Sequence, residues 1–295
     1  EVFSSDKSPS AALYTSVFLN GFDKNLVEKE IKKINNLAGK KGWIFKNYSG
    51  NFLRPVRGET SPQWRPRAFT VSNGQKLDAI FDYIHSLKPS AEKDALLFSA
   101  IIAMNKVFNG TNDQKSSLKE WSSSSKKDVR LEMPTLVQGV KGTVENCDIF
   151  ETNNSTVDVV YLDPPYTTGV LYDACYHLND SVVLWDKPSV DNSFALPRPD
   201  RVCFKKNQKC AGAFYMKKTV HEDFDNLLKK FDCKRMILSY SNGPRNAISF
   251  ADLLLICQKH GTVTVYDQDH KICMQPKKMK KQQKNLVEYF FVIDK

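Results

Sequence analysis

Paired cysteines, clustered histidines and membrane-length apolar runs are all missing from this sequence of 295 residues. The seven cysteines form no CxxC pair, and only 5 histidines are present. An odd, scattered set of cysteines argues against a disulfide framework and against a structural zinc site. No apolar run is long enough to span a bilayer, and no secretory signal peptide is recognisable. The sequence therefore predicts reduced thiols, no metal centre and no membrane partner.

The charge of the chain is strongly positive, with a formal net charge of +10 and an isoelectric point near 9.1. Hydrophobic residues make up 41% and aromatic residues 11% of the chain, which is enough for a sizeable core and excludes global disorder. A basic folded protein of this kind favours an anionic partner, of which nucleic acid is the commonest.

Predicted strands that end on polar side chains alternate with predicted helices. Four such strands end at Asp6, Asp148, Asp163 and the stretch 239–242. This alternation predicts an open α/β sheet, in which ligands bind outside the carboxyl ends of the strands.

Capping residues and local composition also predict where the helices and strands begin and end. Ser8-Pro9 and Ser249 are good helix starts. The predicted helices cover residues 9–20, 24–38, 76–87, 91–108, 219–231 and 249–260, and the other predicted strands cover 262–266 and 286–293. Residues 48–75 and 168–215 are rich in proline, glycine and basic side chains and are predicted to be irregular.

The most informative stretch is an apolar strand, Val159–Leu162, followed by Asp163, Pro164, Pro165 and Tyr166. Pro164 has no N–H and a fixed φ, so the strand must stop there in a stiff turn. The Asp163 carboxylate and the Pro164 carbonyl can accept both hydrogens of an exocyclic amine, while the ring of Tyr166 can stack on a heterocycle. The turn thus suits a flipped base that bears an amino group.

Methylation of that amine needs no protein nucleophile and no metal. The nitrogen lone pair is delocalised into the ring, and two acceptors on its hydrogens oppose the positive charge that grows during attack on a methyl sulfonium. The alternative is an ordinary Pro-Pro turn after a strand.

The DPPY stretch, Asp163–Tyr166, resembles the catalytic motif of S-adenosylmethionine-dependent amino-methyltransferases that act on nucleic acid. Further stretches make the chain similar to the Dam-like DNA adenine methyltransferases, especially the modification enzymes of restriction systems. They are VFSSDKSP at 2–9, VENCDIF at 144–150, Tyr176-His177, LSYSN at 238–242 and the lysine-rich stretch 277–284 before the last strand. The resemblance extends over nearly the whole chain.

The resemblance implies a Rossmann-like methyltransferase sheet, the cofactor S-adenosylmethionine and specific site residues. Asp163, Pro164, Pro165 and Tyr166 would be catalytic. Asp6 would contact the cofactor ribose and Asp148 the cofactor adenine, with Ile149, Phe150 and Asp163 also near the cofactor. Tyr166, Ser239, Asn242, Arg65, Arg67 and Lys119 would contact the DNA or the flipped adenine.

The resemblance also implies a division of the chain. Residues 1–48 and 135–295 would form the catalytic domain, and residues 49–134 an inserted, mainly helical target-recognition subdomain. Arg54, Arg57, Arg65 and Arg67 of that insertion could contact phosphates or guanine edges. The family's glycine-rich cofactor loop is not found after Glu1, so the catalytic domain is expected to be N-terminally incomplete here, with that loop upstream or on another chain.

Three other functions remain open at this stage: methylation of an amine in RNA, methylation of the cytosine amine, and DNA binding by an inactive remnant. The expected partners are double-stranded DNA and, as a separate protein, a cognate restriction endonuclease. The expected location is the cytoplasm of a prokaryotic cell, with the gene carried by the cell or by a phage.

Overall fold

The computed structural model describes residues 1–54, 61–110, 113–135, 139, 141–153, 155–165, 171–194, 196–202, 212–243, 245–270 and 286–295. The chain divides into two compact units. The first unit comprises residues 1–147 and 176–202, and the second comprises residues 148–175 and 203–295. Both units mix helices with strands.

The elements in chain order are β1 (Val2–Ser5), α1 (Pro9–Asn20), α2 (Lys24–Asn35), α3 (Trp43–Tyr48), β2 (Asn51–Arg54), β3 (Gln63–Pro66), α4 (Val71–Ser86), α5 (Ala91–Lys106), β4 (Gly142–Glu145), β5 (Val159–Leu162), α6 (Tyr172–Leu184), β6 (Val190–Asp191), β7 (Arg198–Pro199), α7 (Val220–Lys230), β8 (Arg235–Ser241), α8 (Phe250–Gln258), β9 (Thr262–His270) and β10 (Leu286–Asp294). No helix in these described ranges combines the length and apolar character needed to cross a membrane.

The first unit is mainly helical. Its core joins buried side chains of α1, α2, α4 and α5, including Leu13, Val27, Ile80 and Ile101. β1 and β4 form a parallel pair in which Ser5 lies opposite Glu145. The carboxyl ends of both strands therefore lie at the same edge.

A buried carboxylate fixes the start of α3 in this unit. Asp78 accepts hydrogen bonds from the backbone amides of Gly42, Ile44 and Phe45 at 3.0, 2.9 and 2.8 Å. These amides belong to the first turn of a helix, where no backbone carbonyl is available to them. Residue 42 must be glycine, because an added Cβ would lie 2.6 Å from the Asp78 carboxyl carbon.

The second unit is built on a four-stranded sheet in the order β5-β8-β10-β9. β5 is parallel to β8, and β10 is antiparallel to both of its neighbours. One face of the sheet is apolar, with the buried residues Leu162, Leu238 and Phe291, and it packs against Phe224 of α7 and Leu253 of α8. Because side chains alternate along a strand, the strand residues next to Leu162, Leu238 and Phe291 point to the opposite face.

The structure confirms the predicted starts of α1 and α8, where the Ser8 and Ser249 side chains accept hydrogen bonds from the amides of Ala11 and Asp252. The predicted strands are also present, with β9 continuing to His270. The mixed α/β class is therefore confirmed.

The prediction that residues 168–215 are irregular is wrong, because α6 (Tyr172–Leu184) lies within them. Its polar side chains made the stretch look like a loop, yet several of them are buried and bind partners in the first unit. His177 Nε2 lies 2.8 Å from the Gln114 carbonyl oxygen, and Asp180 accepts a hydrogen bond from the Ser8 hydroxyl at 2.7 Å. Distant residues thus stabilise a helix that its own sequence does not indicate.

The prediction that residues 48–75 are loop is wrong in part. β2 and β3 form an antiparallel hairpin with Asn51 opposite Pro66, and α4 begins at Val71, five residues before the predicted start. The short helix α3 (Trp43–Tyr48) was not predicted at all. Its start depends on Asp78, which lies more than 30 residues further along the chain.

Candidate active site

The polar face of the second unit's sheet carries an open cavity of about 380 Å³. Its lining residues come from all four strands and are Tyr161, Asp163, Ser239, Gln268, Asp269, Glu288 and Phe290. Phe290 lies opposite Ser239 in the ladder, and Glu288 lies opposite Gln268. Residues opposite each other in a ladder share a face, so the strand register itself brings these side chains together.

Asp163 is the first residue after β5 and lies at the cavity. Partial burial of its carboxyl raises the pKa of Asp163, and the negative charge of Glu288 raises it further. No hydrogen bond to this carboxyl comes from the part of the chain that the structure describes. Asp163 is therefore available to accept hydrogen bonds from a ligand.

Ser239 and Glu288 form a pair across β8 and β10 beside Asp163. The Ser239 hydroxyl donates a hydrogen bond to Glu288 Oε1 at 2.6 Å. Glu288 Oε2 is buried and has no partner among the described residues. Ser239 thus lies at the cavity, but its hydroxyl hydrogen is already engaged.

Asn242 lies at the end of the same ladder but does not line the described cavity. Its Oδ1 accepts a hydrogen bond from the Val287 amide at 2.9 Å, and its own amide donates to the Val287 carbonyl at 3.1 Å. These contacts favour a role in holding the end of β8 against β10.

In the first unit, Asp6 follows the carboxyl end of β1. Its Oδ1 accepts a hydrogen bond from the Ser8 amide at 2.7 Å. The Asn146 side chain, which follows β4, donates to the carbonyls of Asp6 and Lys7 at 2.9 and 3.1 Å. A carboxylate in this position can accept hydrogen bonds from ligand hydroxyl groups, so the chemistry fits a ribose.

Asp180 of α6 braces the same loop. Its Oδ1 accepts hydrogen bonds from the Ser8 and Ser10 hydroxyls, both at 2.7 Å, and from the Ser10 amide at 3.1 Å. All three residues are buried. The loop that carries Asp6 is therefore held rigidly within the first unit.

In the second unit, Asp148 begins a tight turn. Its Oδ1 accepts a hydrogen bond from the Phe150 amide at 3.1 Å, and Ile149 packs against the core of the unit. The Phe150 ring stacks on Phe214 with centroids 6.0 Å apart and still keeps 37% of its surface exposed. The turn thus presents a carboxylate next to a fixed aromatic side chain, a pairing suited to a purine.

Three basic residues, Arg65, Arg67 and Lys119, are predicted to contact DNA. They differ in whether their side chains already bind other residues of the protein. The Arg67 guanidinium donates to the Asn47 carbonyl and, at 3.1 Å, to Asn192 Oδ1. Burial lowers the pKa of Arg67. Arg65 donates to Gln63 at 2.9 Å, and Lys119 is exposed. These contacts favour a structural role for Arg67 and leave Arg65 and Lys119 as the better candidates for a phosphate.

Several predicted residues lie outside the described residues. They are Tyr166, Arg57 and the lysine-rich stretch 277–284, together with the side chain of Arg54. Pro164 and Pro165 are described; Pro164 is buried and Pro165 is half-buried.

Sequence reasoning missed five of the cavity's residues: Tyr161, Gln268, Asp269, Glu288 and Phe290. A weak signal was present for Glu288, a carboxylate within a largely apolar strand, LVEYFFVID. A charged residue inside such a strand is expected to face either solvent or a ligand.

Comparison with known proteins shows which families and proteins the chain resembles. Residues 12–197 match a family model described as D12 class N6 adenine-specific DNA methyltransferase. The Type II methyltransferase M.FokI of Planomicrobium okeanokoites is 26% identical over 240 residues, which cover 77% of this chain and 35% of that protein. M.NlaIII, a Type II methyltransferase of Neisseria lactamica, is 24% identical over 274 residues, which cover 90% of this chain and 75% of that protein.

The Modification methylase StsI of Streptococcus sanguinis is 28% identical over 217 residues, which cover 70% of this chain and 31% of that protein. The matched region thus spans about a third of M.FokI and of StsI but three quarters of M.NlaIII. No solved structure matches the chain significantly.

Proposed function

The chain belongs to the D12 class N6 adenine-specific DNA methyltransferase family, and from this premise we propose that it transfers a methyl group from S-adenosylmethionine to the exocyclic amine of an adenine in DNA. The observation that carries the proposal is the position of Asp163. The first residue of the DPPY turn lies at an open cavity, and no described residue donates a hydrogen bond to its carboxyl.

Asp163 and the Pro164 carbonyl would accept the two hydrogens of the amine and orient its nitrogen for attack. Tyr166 would stack on the flipped base. When bound, S-adenosylmethionine would supply an electrophilic methyl group. The contribution of the protein is then positioning and electrostatics, which together account for much of the rate enhancement in many enzymes.

Each unit contributes residues whose chemistry suits a part of the cofactor. Asp6 would accept hydrogen bonds from the ribose, because it follows β1 at the carboxyl end of a parallel pair. Asp148 would contact the adenine, with Ile149 and Phe150 forming the apolar part of that contact. Parallel pairing of β1 with β4 and of β5 with β8, with helices following β1, β5 and β8, supports the proposal of a Rossmann-like fold.

Recognition of DNA is proposed for residues 49–134, with residues 1–48 and 135–295 as the catalytic part. The helices α4 and α5 give that insertion its helical character. Arg65 and Lys119 are the candidates for contacts with DNA. The names of the relatives, two Type II methyltransferases and a modification methylase, support a role in DNA modification within a restriction-modification system. A cognate nuclease as a separate protein and a location in the cytoplasm of a prokaryotic cell are further parts of the proposal.

The decisive experiment is to incubate the intact protein with S-adenosylmethionine and either plasmid DNA or structured RNA, and to map methyl groups by methylation-aware sequencing. We expect N6-methyladenine at one recurrent short DNA site and no methylated RNA. Methylation confined to RNA or to cytosine would contradict the proposal, as would tight DNA binding with no methyl transfer.

Asp163→Ala supplies the matched test of the site. We expect methyl transfer to fall by about 10²- to 10⁴-fold, while DNA affinity changes little. Asp267→Ala is the control, because Asp267 is an exposed carboxylate on β9 that does not line the described cavity. Equal activity of the two variants would remove Asp163 from the reaction.

A further inference from the structure

Glu288 is unusual among the cavity residues because only half of its carboxylate is satisfied. Ser239 donates to Oε1 at 2.6 Å, whereas Oε2 is buried and has no partner in the described part of the chain. Leaving a buried charged oxygen without a hydrogen bond destabilises a fold, so such a group points to a use other than packing.

Glu288 is the main electrostatic neighbour of Asp163. The other titratable residues at the cavity are Tyr161 on the strand that precedes Asp163 and Asp269 on β9; Ser239, Gln268 and Phe290 are uncharged. No lysine or arginine lines the described cavity. Of these groups, Glu288 is the one whose charge raises the pKa of Asp163.

Two neighbouring carboxylates that both face a half-enclosed space resist being ionised together. The negative charge of Glu288 therefore favours the protonated form of Asp163. The hydrogen bond from Ser239 fixes Glu288 on the cavity side, since it holds Oε1 against β8.

We propose that Glu288 is a positioning residue for methyl transfer, which acts through Asp163 so that the two carboxylates together take up the proton released by the amine. This inference rests on the proposed function. As the amine nitrogen bonds to the methyl carbon, the carbon–sulfur bond breaks and its electron pair stays on sulfur. The nitrogen then carries a positive charge, which it loses by giving one proton to Asp163. Glu288 favours that transfer, because its negative charge stabilises the protonated Asp163.

The test compares Glu288→Gln with the wild-type protein. Side-chain carboxyl groups are labelled with ¹³C and titrated by NMR, and the Asp163 signal is assigned by its loss in Asp163→Asn. We expect the pKa of Asp163 to fall toward the ordinary aspartate value in Glu288→Gln. The acidic limb of the pH dependence of kcat should move to lower pH in the same variant, and kcat on its plateau should fall by about 10-fold or more.

The control is Asp267→Asn, which removes one charge from a residue of the same sheet that does not line the described cavity and should leave the Asp163 titration in place. Glu288→Asp keeps the negative charge but withdraws it by one methylene group, so the pKa of Asp163 should fall by less than in Glu288→Gln. This second variant decides the matter if Glu288→Gln fails to fold.

An unchanged Asp163 titration in Glu288→Gln would overturn the role of Glu288, as would an equal shift in Asp267→Asn. Absence of methyl transfer in the wild-type protein would overturn the proposed function instead. The titrations do not depend on that activity, so the two failures can be told apart.

Discussion

Asp78 in the first unit and Asp163 in the second are carboxylates whose pKa is raised by burial, but their surroundings are opposite. Asp78 receives three backbone hydrogen bonds, from Gly42, Ile44 and Phe45, which offset part of the effect of burial. Asp163 receives none from the described residues and faces the negative charge of Glu288 instead. The first carboxylate organises the fold, and the second lies at the cavity without a described donor.

Asp82, one turn further along α4, extends the contrast. Burial pushes its pKa upward, but hydrogen bonds from Lys187, Lys40 and Trp185 outweigh burial and lower the pKa of Asp82 to about 2. The Lys187 ammonium lies 2.7 Å from Oδ1, and Trp185 Nε1 lies 2.6 Å from the same atom. Asp78 and Asp82 of the first unit are thus bound to protein donors, whereas no described residue donates a hydrogen bond to Asp163 at the cavity.

Asp78→Ala should give the largest effect on stability. The substitution leaves three amides of the first turn of α3 without acceptors, and each buried unsatisfied donor costs about 1–3 kcal/mol. We expect the free energy of unfolding to fall by about 3 kcal/mol or more in urea denaturation. Asp128→Ala, at an exposed aspartate of the same unit, should change it by no more than about 0.5 kcal/mol. A loss no greater than that of this control would remove Asp78 from its structural role.

Asp82→Asn should change how stability depends on pH. A carboxyl group with a lowered pKa stabilises the folded state above its unfolded-state pKa, and this contribution is lost as the pH falls through the folded-state value. The variant should therefore be less stable than the wild type at pH 7 by about 1–2 kcal/mol, allowing for partial solvent exposure. The difference should disappear between about pH 4 and pH 2.

Urea denaturation over this pH range checks the Asp82 prediction, with Asp128→Asn as a variant that should follow the wild-type curve. A constant difference between Asp82→Asn and the wild type at every pH would show that Asp82 contributes through its shape rather than its charge.

Local helix caps should behave alike in both units. The Ser90 hydroxyl accepts a hydrogen bond from the Lys93 amide at 3.2 Å, and the Ser249 hydroxyl accepts one from the Asp252 amide at 3.1 Å. Replacing either serine with alanine should cost about 1 kcal/mol. Amide hydrogen exchange should accelerate at the start of α5 in one variant and of α8 in the other. Ser61→Ala, at an exposed serine outside any helix, should accelerate neither, and a similar change in all three would contradict a capping effect.

These contrasts mark what the sequence could and could not predict. The caps at Ser8 and Ser249 and the position of Asp163 after β5 were predictable, because each depends on a few consecutive residues. Glu288 was missed because its place beside Asp163 depends on the order and register of β5, β8 and β10. No local pattern encodes that order.

Helix α6 was missed for a related reason. Its polar residues are buried, and their partners lie far away in the chain, as in the hydrogen bonds between Gln114 Nε2 and Asn179 Oδ1 and between Ser10 and Asp180. Hydrophobic periodicity does not record such pairs, because it counts every polar side chain as exposed.

Asp163→Asn should have the smallest effect on stability and the opposite sign to Asp78→Ala. A carboxyl group whose folded-state pKa is raised destabilises the folded state while it is ionised, so the neutral amide should increase stability at pH 7. The gain should be no more than about 0.5 kcal/mol, since solvent reaches the group. It should shrink as the pH falls and Asp163 becomes protonated in the wild type. Urea denaturation at pH 7 and near pH 4 measures both parts. A clear loss of stability at pH 7 would mean that Asp163, like Asp78, holds the fold together, and the contrast between the two units would fail.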